Sequence, residues 1–159
     1  MANILPARPR MMSRERRTFA IVSSQYNAEF VQGLVDHALR ELEVLAPGVN
    51  VARYEAPGAF EIPLLVQEVA ERGGVDAIIA LGVIIQGETR HADLIARAVT
   101  HALLECGLRY RLPVVHEVLL VRDEAQARER CLAAELNRGV ESARVAVRAL
   151  QTLNELKGR

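Results

Sequence analysis

Charge of one sign is what this chain most plainly lacks: 20 Lys and Arg residues balance 20 Asp and Glu, for a formal net charge of +0 at pH 7 with His neutral. That balance gives no support to a nucleic acid or an anionic membrane surface as the partner. Cysteine is scarce as well. Cys106 and Cys131 are the only two, too few for a disulfide framework and wrongly spaced for a metal knuckle or redox pair, so both are expected reduced and semi-buried. No apolar run approaches the roughly 20 residues of a membrane span, and residues 1–17 hold no continuous apolar segment of the secretory kind. The expectation is a chain that stays in the cytoplasm. Standard fingerprints are missing too: GxGxxG, the P-loop pattern, GxSxG, HExxH and paired CxxC do not occur.

What is present is enough apolar material, 50% of 159 residues, for one substantial core and one domain. Ahead of it, residues 1–17 carry Arg8, Arg10, Arg14, Arg16 and Arg17 against Glu15 alone, with Pro6 and Pro9 opposing an early helix. This stretch reads as a flexible basic arm, free or laid on a neighbouring subunit, before a domain over 18–159. From Thr18 the period alternates. TFAIVSS, NVARYEA, DAIIALGVII and PVVHEVLLV read as strands. Between them come a helix with apolar positions from Phe30 to Leu45, a helix over EIPLLVQEVAERGG closed by capping glycines, and a helix over 91–106. DEAQARERCLAAELN and RGVESARVAVRALQTLNEL follow as two helices, the second with Val140, Ala143, Val147, Leu150 and Leu153 aligned. Alternation with short connections predicts an α/β fold: a three-layer α/β/α sandwich of flavodoxin-like type on a four-stranded parallel sheet. Ligands of such folds sit beyond the carboxyl ends of the strands, so SSQYN, APGAFEIP, IIQGETRH and LLVRDEAQ are the segments to read for function.

Polar groups in or near those loops include Tyr26, Asn27, Glu61, Thr89 and His91, with Arg128 and Arg130 further on. On residue type alone, Glu61 is an ordinary acid of a first helical turn, Thr89 a plain N-cap, and both arginines solvated helical charges. Taken together, SQYN, PGAFEIP, LGVIIQGETRHADLI and RERCLAAELNRGVESA resemble the lumazine synthase family over about residues 18–157. PGAFEIP and GETRH carry most of the specificity, and NRGVE supports them.

The resemblance implies a condensation of 5-amino-6-(D-ribitylamino)uracil with 3,4-dihydroxy-2-butanone 4-phosphate, without metal or organic cofactor. It implies that Tyr26 stacks on the pyrimidine and Asn27 adjoins it. Ala59, Phe60 and Glu61 would hold the ring edge and ribityl chain, and Val83, Ile84 and Ile85 would contribute further substrate contacts. Gly87, Glu88 and Thr89 would form a backbone turn around the phosphate, with Arg130 as its cation; exposed N–H groups at a helix start suit an anion, and a guanidinium adds charge-assisted bonds. His91 would move protons, and the positive end of a helix disfavours an imidazolium there, leaving a base able to accept one. His116, at the end of the last strand, Arg130, and Arg138 of NRGVE would reach the site from an adjacent subunit of a pentamer, which further packing builds into decamers or hollow shells. The family context also implies a functional link to riboflavin synthase.

Departures are visible. His116 stands at the end of the last strand where an aromatic phenylalanine is common, Glu117 where glycine is usual, Gln86 in place of a common arginine, and Glu88 puts a carboxylate beside the phosphate turn. They keep two alternatives open: a non-catalytic lumazine or flavin binder, and a shell-forming homologue. His37 and His101, inside amphipathic patterns, are expected to be surface or boundary residues.

Overall fold

The computed structural model describes residues 4–12 and 17–158. Two segments are apolar on both faces, and that decides where they go. In β1 (Thr18–Ser24) the run Phe19 to Val22 is fully buried, and in β3 (Ala77–Ile85) so is the run Ala77 to Leu81. Only inner strands covered on both sides accommodate such runs. The less apolar β2 (Asn50–Ala56) and β4 (Val114–Val121) take the edges. Among the described residues the sheet is four-stranded, in the order β2-β1-β3-β4, with every pairing parallel.

Side chains alternate across the strands and divide the core in two. Phe19 and Ile21 face α1 (Ala28–Leu45), α4 (Glu124–Cys131) and α5 (Arg138–Leu156). Ala20 and Val22 face α2 (Ile62–Arg72) and α3 (His91–Tyr110). The result is the expected three-layer, flavodoxin-like α/β/α sandwich. Because β1 leads through α1 to one edge and β3 through α3 to the other, the chain reverses its direction of progress between β1 and β3. A crevice opens at such a reversal, beyond the carboxyl ends of the strands.

Glycine punctuates as expected at Gly73, which ends α2 at φ 69. Other boundaries differ. The stretch 123–137 is not one helix: α4 stops at Cys131, Leu136 takes φ 54, and Asn137 joins the two ends. Its Nδ2 donates to the carbonyls of Cys131 at 2.9 Å and Ala133 at 3.0 Å, while its Oδ1 accepts from Gly139 N at 2.8 Å. A fully buried amide that satisfies both helices outweighs the periodicity that would have continued α4. The core stripe of α5 runs through Gly139, Ser142, Ala143, Ala146, Val147 and Leu150, with Val140 and Leu153 only half-buried at its margins. Helix α3 runs four residues beyond the expected 106, to Tyr110. Both cysteines are free, and fully buried where semi-burial was expected.

Residues 4–12 lie on α1 and α5 of their own chain. Met12 N donates to Leu45 O at 2.8 Å, Gln151 Nε2 to Arg10 O at 2.5 Å and Arg144 Nη1 to Pro6 O at 2.6 Å. Arg8 and Arg144 both bond Glu41, each through Nε at 2.8 Å. Arg14, Glu15 and Arg16 lie outside the described residues.

Candidate functional site

Three of the four strand-to-helix loops meet at the reversal point and enclose a cleft of about 950 Å³. The loop after β1 supplies Tyr26, a residue 74% exposed on the rim, and Asn27. Asn27 adopts the left-handed conformation at φ 57, which asparagine tolerates better than most residues. Its carbonyl accepts from Phe30 N and Val31 N, starting α1, and its Nδ2 donates to Val83 O at 2.7 Å. The side chain expected beside the substrate therefore also ties the β1 loop to the end of β3.

After β2, Gly58 is extended and Ala59–Glu61 form a 3-10 turn that leads into α2, whose first turn holds Pro63. Proline suits that position because no intrahelical partner awaits its missing N–H. The turn places Ala59, the exposed Phe60 and Glu61 on the cleft wall, and the Glu61 carboxylate does not cap α2. Val83, Ile84 and Ile85 of β3 line it from the sheet.

Beyond β3, Gly87, Thr89 and His91 complete the expected group. Among the described residues, and apart from its two chain neighbours, none comes within 4 Å of the place a Gly87 Cβ would occupy, so its backbone is open to a ligand. Thr89 is not the cap of α3. That position falls to Arg90, and no side chain caps the helix there, which leaves amides of the first turn without that partner. His91 opens α3, and Ala92, Leu94, Ile95 and Ala98 of the same helix also line the cleft. Sequence reading passed over these four and Gly58; the three-and-four spacing of positions 91, 94, 95 and 98 was the available signal. The lining is mostly apolar. Among the described residues lining it, Glu61 is a carboxylate and none is Lys or Arg.

The remaining expected residues lie outside this cleft. Glu88 is exposed beside it. His116 is not at the end of the last strand: it is the third residue of β4, paired with Ala80 in the middle of β3. Its Nε2 lies 2.7 Å from Thr100 Oγ1, whose proton is already donated to Ala96 O, so Nε2 carries the hydrogen. Burial lowers its pKa, which makes the ring neutral at pH 7. Arg130, on α4, has a side chain 16% exposed and a buried Nη1 without partner. Arg128 points elsewhere, paired with Glu29 at 3.0 Å and set over the Phe30 ring, so it ties α4 to α1 and is not simply solvated. Arg138 is 3% exposed and its Nη1 donates to Glu141. Glu117, on β4, is 8% exposed, and its pKa is pushed up to about 8 by burial and by Glu141, against the pull of Arg138. The fourth loop sends nothing to the cleft, and its Asp123 caps α4 by accepting from Gln126 N at 2.8 Å. Of the other histidines, His37 is half-buried with Nδ1 2.8 Å from Gly33 O, and His101 is exposed beside Glu105.

Comparison with known proteins finds relatives that share one name. A family model for 6,7-dimethyl-8-ribityllumazine synthase matches residues 16–154. The 6,7-dimethyl-8-ribityllumazine synthase of Cytophaga hutchinsonii is 39% identical over 138 residues, which cover 84% of this chain and 85% of that protein. Proteins of the same name from Burkholderia vietnamiensis and Burkholderia cenocepacia are 40% identical over 128 residues, covering 80% of this chain and 73% and 72% of their own.

Proposed function

The chain belongs to the 6,7-dimethyl-8-ribityllumazine synthase family, a family of transferase enzymes, and from that premise we propose that it joins 5-amino-6-(D-ribitylamino)uracil to 3,4-dihydroxy-2-butanone 4-phosphate. The products are 6,7-dimethyl-8-ribityllumazine, inorganic phosphate and water. The primary amine attacks the ketone carbon and water leaves, giving an imine. Elimination then breaks the carbon–oxygen bond to phosphate, and the ribityl-bearing nitrogen closes the ring on the resulting carbonyl with loss of a second water. These steps need positioning, an anion site and a group that shuttles protons, and no redox partner.

The observation that carries the proposal is the convergence of the loops after β1, β2 and β3 on one cleft that holds Tyr26, Glu61 and His91. Tyr26 offers a face for the pyrimidine. Glu61 accepts hydrogen bonds from ribityl hydroxyls, above an apolar wall of Val83, Ile84 and Ile85. The backbone at Gly87 to Thr89, ahead of an uncapped helix start, receives the phosphate. His91 on that helix takes and returns the protons.

The same cleft is incomplete for this substrate. A phosphate dianion needs a cation, and the described lining has none. We assign the missing charge to a second copy, with Arg130, Arg138 and His116 facing the cleft of a neighbour across the interface of a cyclic pentamer. His116 then covers the bound ring as a neutral imidazole. The decisive experiment mixes the purified protein with both substrates and follows lumazine absorbance and fluorescence. Formation well above the unaided condensation is expected, and a rate equal to the protein-free control would refute the reaction.

A further inference from the structure

Helix α3 serves two sides of the molecule. His91, Leu94, Ile95 and Ala98 line the cleft of their own chain. At about 100° per residue, Thr100 lies roughly half a turn round the helix from His91, with the buried stripe of Ala92, Val99, Leu103 and Cys106 between the two. His116 comes to meet Thr100 from the sheet. Along the edge strand β4, Val115 and Leu119 pack toward α1 and α5, whereas Val114 and Val118 pack toward α2 and α3, so His116 projects on the α3 side. There the side chains form a run of hydrogen bonds with one possible direction. The Ala96 carbonyl can only accept, so the Thr100 hydroxyl, 2.7 Å away, donates to it. The hydroxyl oxygen then accepts, and His116 Nε2, 2.7 Å from it, is the donor. Thr100 is exposed and already satisfied by its own helix; the half-buried imidazole N–H is the group that needs the contact.

We propose that Thr100 is a positioning residue that acts through His116: its hydroxyl, anchored on the Ala96 carbonyl, holds the imidazole in one tautomer and one plane, ready to cover a planar heterocycle bound in the cleft of an adjoining copy. This rests on the assignment of His116 to that shared site. A ring fixed before binding spares the ligand the cost of ordering it, and a fixed plane is what stacking on a pyrimidine or pteridine requires. Without the hydroxyl the imidazole N–H loses its acceptor and the ring turns between rotamers, so each ligand must order it anew. Helix α3 thereby supports two sites at once, presenting His91 to the cleft of its own chain and steadying His116 for the cleft of the next.

Two measurements test this role. Steady-state kinetics gives kcat and the KM for 5-amino-6-(D-ribitylamino)uracil, and fluorescence titration gives the Kd of 6,7-dimethyl-8-ribityllumazine without any turnover. Thr100→Val keeps the branched shape and removes the hydroxyl; it should raise KM and Kd by about three- to tenfold, the worth of one hydrogen bond, and change kcat less. Thr100→Ser restores the hydroxyl and should return both constants to near their original values. In a His116→Phe background, where no ring N–H remains, Thr100→Val should have no further effect. An equal rise in that background, a failure of serine to rescue, or a change confined to kcat overturns the proposal. Lumazine binding that follows the expected pattern in a protein that forms no lumazine removes the proposed reaction and leaves the role of Thr100 standing. Lumazine formation with KM and Kd unmoved by Thr100→Val does the reverse, and the absence of both turnover and binding overturns the two together. Thr100→Ala serves for both measurements should the valine variant misfold.

Discussion

The Asn27 amide, 2.7 Å from the Val83 carbonyl, illustrates how residues here combine a local duty with a place in the cleft. Arg128 and Arg130 show the opposite division. They stand two apart on α4 and face different sides: Arg128 lies against Glu29 and Phe30, while Arg130 keeps a buried Nη1 without partner. A guanidinium with an unmet donor is the one suited to an external anion. Arg130→Ala is therefore expected to raise the KM for the butanone phosphate by about tenfold or more, the worth of one charge-assisted bond. Arg128→Ala should leave that KM near its original value and cost a little stability, through the contact with α1. Steady-state kinetics with the butanone phosphate varied decides this, and equal effects on KM would show that Arg130 is not the phosphate cation.

At the scale of elements, the α1 and α5 layer is held by close approach and by charge. Gly139 lies so near the Leu34 carbonyl of α1 that a Cβ there would collide with backbone. Gly139→Ala should lower stability by roughly 1–3 kcal/mol, measured by urea unfolding, because backbone on both sides must shift. An unchanged midpoint would mean that the two helices are less tightly joined.

The N-terminal strap adds the charged part of that layer. Burial pushes the Glu41 carboxyl up, but hydrogen bonds from Arg8 and Arg144, together with their charges, outweigh it and hold the pKa below the usual carboxylate range. A carboxyl depressed in the folded state stabilises above its unfolded pKa, and that contribution is lost as pH falls through the folded value. Glu41→Gln should accordingly lower the Tm at neutral pH, by about 2 kcal/mol in stability, and the gap should close as the solution is acidified below about pH 4. A gap independent of pH would assign the loss to packing.

For the whole molecule, a described cleft lining without Lys or Arg leaves the phosphate cation to the proposed neighbouring copy. If Arg130 serves a neighbour's cleft, His91→Ala and Arg130→Ala chains damage the same site from different copies. Co-expressed in one assembly, they should restore about a quarter of the sites to full composition, since each of the two contributing chains is intact at its own position about half the time. Mixed assemblies no more active than the mean of the two separate variants would place both residues in one chain. Among the described residues no helix is long and apolar enough to cross a membrane. Sedimentation of the full chain beside one lacking residues 2–12 would show whether the strap, which here grips its own α1 and α5, also governs the size of the particle.

Element order, parallel pairing and the doubly covered strands β1 and β3 follow from the sequence by itself, because a run such as Phe19 to Val22 has only one kind of place to go. The three loops that form the cleft were legible for the same reason: the crevice of a parallel sheet is fixed by topology. Only the tertiary structure decided the rest. That α4 ends at Cys131 depends on the buried Asn137 amide bridging two helices, a pairing that periodicity does not encode. That His116 sits mid-strand against Thr100 depends on the β3–β4 register. That Arg138 is buried and bonded to Glu141, not solvated, depends on α5 packing against the sheet and α1. Local pattern determines which face of an element is apolar; which polar groups share that buried space is settled only when the elements pack.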